Sequence, residues 1–158
     1  MLVVDAHAHP DQFYYVNDKG VIDESSTLEK IQKVRMHGSS FAAVGDSSTR
    51  AFTFPWVMTQ LNSVISLEEQ NMVRIIRRYK DMPHGSPTKG FVSGAILSLE
   101  GAAPIGSDFA TASSNLDLLY ELGMRMITLM HYLDNPFGES MRRSHPGKAG
   151  TGLTGLGH

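Results

Sequence analysis

Apolar positions along the chain alternate between short continuous runs and stretches at helical spacing. Leu2-Val-Val-Asp-Ala6 reads as a short buried strand that opens into His7-Ala8-His9, and Pro10, which lacks a backbone donor, ends it. Residues 10–25 are polar and irregular. Ser26-Thr27-Leu28-Glu29 matches a capping box, with Leu28, Ile31 and Val34 on one helical face and Gly38 as the stop. Phe41-Ala-Ala-Val-Gly45 reads as a second strand. Over 57–80, Leu61, Val64, Ile65, Met72, Ile76 and Tyr79 line one face of a long amphipathic helix. Arg74, Arg77, Arg78 and Lys80 then fall near its C-terminus, where cations suit the helix dipole and face water. Residues 83–90 read as a loop, and 91–99 as a third strand ending in Glu100-Gly101. Ser114-Asn-Leu-Asp117 opens a short helix that carries Leu116, Leu119 and Leu122 and closes at Gly123. Residues 124–130 form a fourth strand that reaches His131. Residues 132–152 are polar and rich in Gly and Pro, and 153–158 read as the start of a further helix.

Strand, helix, strand, helix, strand, helix, strand is the order of an α/β fold with parallel strands and right-handed crossovers. A complete (β/α)8 barrel takes about 200 to 250 residues, and the chain has 158. The expectation is therefore a single partial (βα)4 half-barrel over 1–158, the first half of a TIM-barrel-type hydrolase. A half-barrel leaves open edge strands and an exposed apolar inner face. The chain is accordingly expected to be a fragment of a longer barrel domain, or a homodimer whose copies cover one another's open edges.

Composition narrows the function. With 41% hydrophobic and 19% charged residues the chain is an ordinary globular one. A formal charge of -2 gives no electrostatic footprint for nucleic acid or anionic membrane. No apolar run approaches the roughly 18 residues of a membrane helix, and the N-terminus lacks the pattern of a secretory signal. With no Cys, any metal must be held by His and carboxylates, and a cytoplasmic setting is expected.

Ligands of parallel α/β folds bind at the carboxyl ends of the strands, and three of the four strands here end in polar side chains. His7 and His9 are two residues apart on extended chain, so both rings project to one side and reach one cation while Ala8 faces away. Alternatively, they are polar turn residues. Glu100 sits at a strand mouth as a metal ligand or general base, or is an exposed or capping carboxylate. His131 is a site residue or a satisfied buried histidine. The second strand ends in Gly45-Asp46-Ser47, a weaker signal. Asp5 either orients a neighbouring imidazole or accepts from a nearby backbone donor. His37, His84 and His145 read as surface residues.

Ser98-Leu-Glu-Gly-Ala102, the run from Leu118 to His131, Asn135-Pro136 and Gly152-Leu-Thr-Gly-Leu-Gly157 together resemble the membrane (renal) dipeptidase family, zinc peptidases of the amidohydrolase superfamily. Val4-Asp-Ala-His-Ala-His9 stands where that family carries its first metal motif. The resemblance spans essentially the whole chain and is weakest over 10–90. It implies that His7 and His9 bind the first zinc, that Glu100 bridges two zincs, and that His131 hydrogen-bonds the substrate carbonyl and stabilises the tetrahedral oxyanion. It further implies attack on a dipeptide or related small amide by a hydroxide shared between the metals. His9 stands where most members have Asp. The family's remaining zinc ligands, its substrate-binding Arg and its proton-transferring Asp lie beyond this chain, so at most one zinc is expected here. The other expectations are a metal-binding fragment without activity, or a different hydrolase of the same superfamily.

Overall fold

The computed structural model describes residues 2–9, 27–85, 88, 90–140 and 152–158. The elements run β1 (Val4–Ala8), α1 (Thr27–Val34), β2 (Gly38–Val44), α2 (Phe54–Glu69), β3 (Arg74–Ile75), β4 (Gly94–Glu100), α3 (Phe109–Leu122) and β5 (Met124–Thr128). Short 3-10 turns at Tyr79–Asp81 and Ala103–Ile105 flank β4. The fold is a parallel sheet of α/β units: β1 pairs parallel with β2 and β3 with β4, in the order β1-β2-β4-β3, with β5 beside β4. The polar stretch 10–25, Ser26 and the Glu29 side chain of the expected capping box, and His145 lie outside the described residues. The chain forms two compact units, one of Met1–Ala43 and Met58–Ser98, the other of Val44–Val57 and Leu99–His158.

In the first unit β2 is buried at every position from Gly38 to Ala43, as a strand covered on both faces requires. Phe41, Leu61, Val64, Ile75 and Leu97 form its fully buried core. Ser40 Oγ and Ser98 Oγ hydrogen-bond at 2.8 Å between β2 and β4, so two buried hydroxyls satisfy each other. Helix α1 stops earlier than its sequence suggests. Arg35 adopts left-handed backbone (φ 54), with Arg35 N–H on Gln32 O and Met36 N–H on Ile31 O, which is a Schellman ending. Gly38 is therefore not the stop but the first residue of β2. His37, expected at the surface, is 3% exposed. Its Nδ1 accepts from Val3 N–H at 3.2 Å and its Nε2 donates to Gly85 O at 2.9 Å, so the ring replaces water for two main-chain groups. His84 is exposed, as expected.

The long helix expected over 57–80 is shorter and is followed by a strand. Helix α2 ends at Glu69, where Asn71 takes the left-handed conformation (φ 57) and Met72 N–H reaches Leu67 O at 2.9 Å. Val73, Ile75 and Ile76 are then buried in and around β3, a fifth strand beside the four expected. Arg74, Arg77, Arg78 and Lys80 consequently lie on this strand and turn, not at a helix C-terminus. Glu68 ties the two elements together. Its carboxylate accepts from Ile75 N–H at 2.7 Å and takes both Arg77 Nη1 and Nη2, at 3.0 and 2.8 Å.

Burial pushes the Glu68 carboxyl up, but the Arg77 and Ile75 hydrogen bonds with the Arg77 charge outweigh it and hold it below its ordinary value. A depressed carboxyl stabilises the fold above its unfolded value of 4.5 and loses that contribution as pH falls through the lower folded value. Glu68→Gln is expected to lower the unfolding free energy by about 1 kcal/mol at neutral pH, the pair being part-exposed. Chemical denaturation at neutral pH and again at about pH 3 checks it, because the wild-type advantage shrinks in acid.

The second unit is built on α3 and β5, which contact each other. Helix α3 begins at Phe109, five residues before the expected start, because Asp108 is its cap. The Asp108 carboxylate accepts from Thr111 N–H at 3.0 Å and from the Thr111 hydroxyl at 2.8 Å. These bonds, the backbone one foremost, hold the Asp108 carboxyl below its ordinary value. Gly123 closes the helix in the left-handed region (φ 111), as its sequence position predicts. Residues 152–158 do not start a helix. Leu153 bridges antiparallel to Gly138, and Gly157 N–H closes a turn on Thr154 O. Among the described residues no helix is long and apolar enough to cross a membrane.

Candidate functional site

In the first unit β1 positions the paired histidines; Leu2, Val3 and Val4, expected to be buried, are exposed because β1 is an edge strand. Asp5 pairs with Ser39 but Ala8 with Phe41, so β1 carries one more residue than β2 over this stretch, a bulge of the kind that re-aims side chains. Ala8 packs into the core, and His7 and His9 stand on the other side, as their spacing requires. Their Nε2 atoms are 3.0 Å apart, with the rings edge-on at 89°. His9 Nδ1 lies 2.8 Å from Ala42 O. A carbonyl only accepts, so the proton sits on Nδ1 and the Nε2 of neutral His9 carries a lone pair. That is the tautomer a metal-binding imidazole needs, set by a main-chain oxygen. Two nitrogens bound to one tetrahedral zinc stand about 3.3 Å apart, so the observed separation fits a shared cation with little movement. The Asp5 carboxylate accepts the His7 backbone N–H at 3.1 Å, the backbone-partner alternative of the two open for it.

In the second unit three strand tips meet. Glu100 is the last residue of β4, and its carbonyl accepts from Gly45 N–H at 2.8 Å, just past the end of β2. Gly101 N–H donates to Thr128 O and Ala102 N–H to Leu129 O, which fixes the end of β4 beside the end of β5. His131 follows three residues beyond β5. Its Nε2 is 3.5 Å from Glu100 Oε1, so the structure brings together the two residues that were expected to share a site. Asn135 holds the following segment: its side-chain amide donates to Leu129 O at 2.7 Å and its Oδ1 accepts from Phe137 N–H at 2.9 Å.

Asp46, a weak signal in sequence, is central to this unit. It is fully buried, and its Oδ1 lies 2.7 Å from His131 Nδ1. Tyr132 and Leu133 N–H also donate to the carboxylate, each at 3.3 Å. A buried carboxylate is tolerated only when it is hydrogen-bonded in this way. Its place two residues past an apolar strand was the only available signal, because the partner is 85 residues away.

A parallel α/β chain with imidazoles and carboxylates at the strand tips is the kind of scaffold on which metal-dependent hydrolases are built. By sequence, residues 10–158 match the family described as membrane dipeptidase (peptidase family M19), and the chain belongs to that family. No curated protein matches it. Among solved structures it is similar to the dipeptidase AC, a family M19 metallopeptidase, at 18% identity and TM-score 0.67, over 99% of this chain and 51% of that one. It is also similar to a metallopeptidase from Rhodobacter sphaeroides, solved with a phosphinate mimic of the dipeptide L-Ala-D-Ala. There the identity is 17% and the TM-score 0.69, over 99% of this chain and 54% of the other. A third is the probable dipeptidase PvdM from Pseudomonas aeruginosa, at 17% identity and TM-score 0.62, covering 88% and 37%. The chain thus spans about half the length, or less, of the solved structures it matches.

Proposed function

We propose that this chain carries part of the machinery of a metal-dependent dipeptidase-like hydrolase, with His7, His9 and Glu100 as metal ligands and His131 as the residue that meets the substrate. The observation that carries the reading is the convergence of His7 and His9 Nε2 within 3.0 Å in a member of the M19 family. Two neutral imidazoles and a carboxylate suit zinc and its neighbours in the first transition row. When bound, the cation would supply Lewis-acid polarisation and a nucleophile active near neutral pH. His131 donates a hydrogen bond from Nδ1–H to Asp46, and its Nε2, when that atom also holds a proton, donates to the carbonyl oxygen of a dipeptide amide. The donation strengthens as that oxygen gains charge. Residues 1–158 are read as one partial (βα)4 domain of a larger barrel in a cytoplasmic setting. Pairing of two copies over open strand edges belongs to the same reading and is supported by Leu2, Val3 and Val4, which lie exposed at and beside the edge strand β1.

Because the chain spans about half of its structural relatives, a metal-binding but inactive fragment is the second reading. Zinc content and amino-acid release from a panel of dipeptides, measured on the same preparation, separate the two. Bound zinc with turnover is expected from the first reading, and bound zinc without turnover from the second. Absence of any tight zinc overturns both. In a form with turnover, His131→Ala is expected to lower kcat by about 100-fold while zinc content is unchanged.

A further inference from the structure

We propose that Asp46 is a positioning residue for His131: its buried carboxylate keeps the proton on Nδ1 and turns Nε2 toward Glu100. Gly101 is the residue that leaves room for that carboxylate. For its functional meaning the proposal rests on the role given above to His131; its geometry does not depend on that role.

Three observations carry it. The shortest contact of the Asp46 carboxylate is to the His131 ring, at 2.7 Å against 3.3 Å for the two backbone donors. An acceptor-only group at that distance requires a proton on Nδ1 whatever the state of the other nitrogen. With Nδ1 so held, the opposite nitrogen is the one that lies 3.5 Å from Glu100 Oε1. A neutral histidine free in water favours the proton on Nε2, so the opposite choice here is made by the hydrogen bond to Asp46.

Gly101 supplies the second half of the device. It adopts φ +89, and a Cβ built there would lie 3.0 Å from Asp46 Cγ and within 3.2 Å of both carboxylate oxygens. Any side chain would press the carboxylate away from the ring. The glycine that follows Glu100 thus has a physical reason in the residue that orients His131. A purely structural account, in which Asp46 only anchors the turn at Tyr132 and Leu133, explains the two long bonds but not the short one.

The test is the histidine tautomer, read by nitrogen-15 NMR on the full 158-residue chain, with His131→Gln used for assignment. Wild-type His131 is expected to show a protonated Nδ1 with a downfield, slowly exchanging proton. Asp46→Ala is expected to release the ring toward Nε2–H. Asp46→Asn keeps an amide oxygen for Nδ1 and Tyr132, so the Nδ1–H form is expected to persist. Its proton resonance should move upfield as a charge-assisted bond becomes a neutral one. A wild-type ring protonated on Nε2 alone overturns the proposal. So does a folded Asp46→Ala protein with an unchanged tautomer. Should Asp46→Ala fail to fold, an unmoved Nδ1 proton in Asp46→Asn overturns it as well.

Where dipeptide turnover is measured, Asp46→Asn is expected to lower kcat by about 10-fold or more, with KM nearly unchanged. A chain that hydrolyses no dipeptide overturns the function and leaves the tautomer result standing. A tautomer indifferent to Asp46 overturns this proposal alone.

Discussion

Replacing His7 and His9 together by alanine is expected to abolish tight zinc binding and to leave the helix content of the chain unchanged. Both effects follow from where the rings stand. His7 is exposed and His9 half-buried, while Ala8 between them faces the core, so truncation removes donors and little packing. Loss of an outer partner of a ligand already costs 10- to 100-fold in affinity, so loss of both imidazoles should cost at least about 100-fold. Metal analysis after dialysis, with far-UV circular dichroism on the same samples, reads the two effects separately. Unchanged zinc stoichiometry in the double variant would defeat the ligand assignment, and loss of helix signal would show that the strand, not the site, had failed.

The second large effect is at Gly45. A Cβ there would stand 1.9 Å from the carbonyl oxygen of Gly101 and 3.0 Å from Pro104 Cδ. The oxygen is main chain and cannot swing aside. Gly45 is also stitched in place, giving its N–H to Glu100 O and accepting Phe52 N–H, both at 2.8 Å. Gly45→Ala is therefore expected to destabilise the fold by about 4 kcal/mol, among the largest effects of a single substitution. Gly85 gives the contrast. It has φ +91 but open space around it, so Gly85→Ala carries only the backbone penalty, about 1 to 2 kcal/mol. Urea unfolding of the two variants ranks steric exclusion against conformational strain. Equal midpoints would show that the Gly45 contact relaxes more easily than its geometry allows.

What the sequence disclosed about the site was set by local rules. His7 and His9 are legible because two-residue spacing on a strand is enough to align them. Glu100 and His131 are legible because apolar runs end just before them. Asp46 was not, because its role is defined by a ring 85 positions away and no local pattern records that distance. His37 misled for a related reason: both groups it satisfies, Val3 N–H and Gly85 O, come from distant parts of the chain.

The fold was readable in class and order but not in every element. Helical spacing across 57–80 concealed a break at Asn71, an amino acid that tolerates left-handed backbone, and a β-branched run at Val73, Ile75 and Ile76 that suits a strand. In the other unit sequence marks the helix at Leu116 and Leu119 but points to Ser114 as its start, whereas the helix begins at Phe109. Asp108 is the better cap, since its side chain holds both donors of Thr111.

The additional residue in β1 between Asp5 and Ala8 acts as a phase shift in an alternating code. Deleting Ala6 would restore even pairing with β2 but invert inward and outward faces on one side of the cut. The imidazoles would be driven into the oily layer, or each residue before the cut would turn to the opposite face. Length, as much as identity, therefore keeps the two rings off the core face, and a one-codon loss there should do more harm than most replacements within the strand.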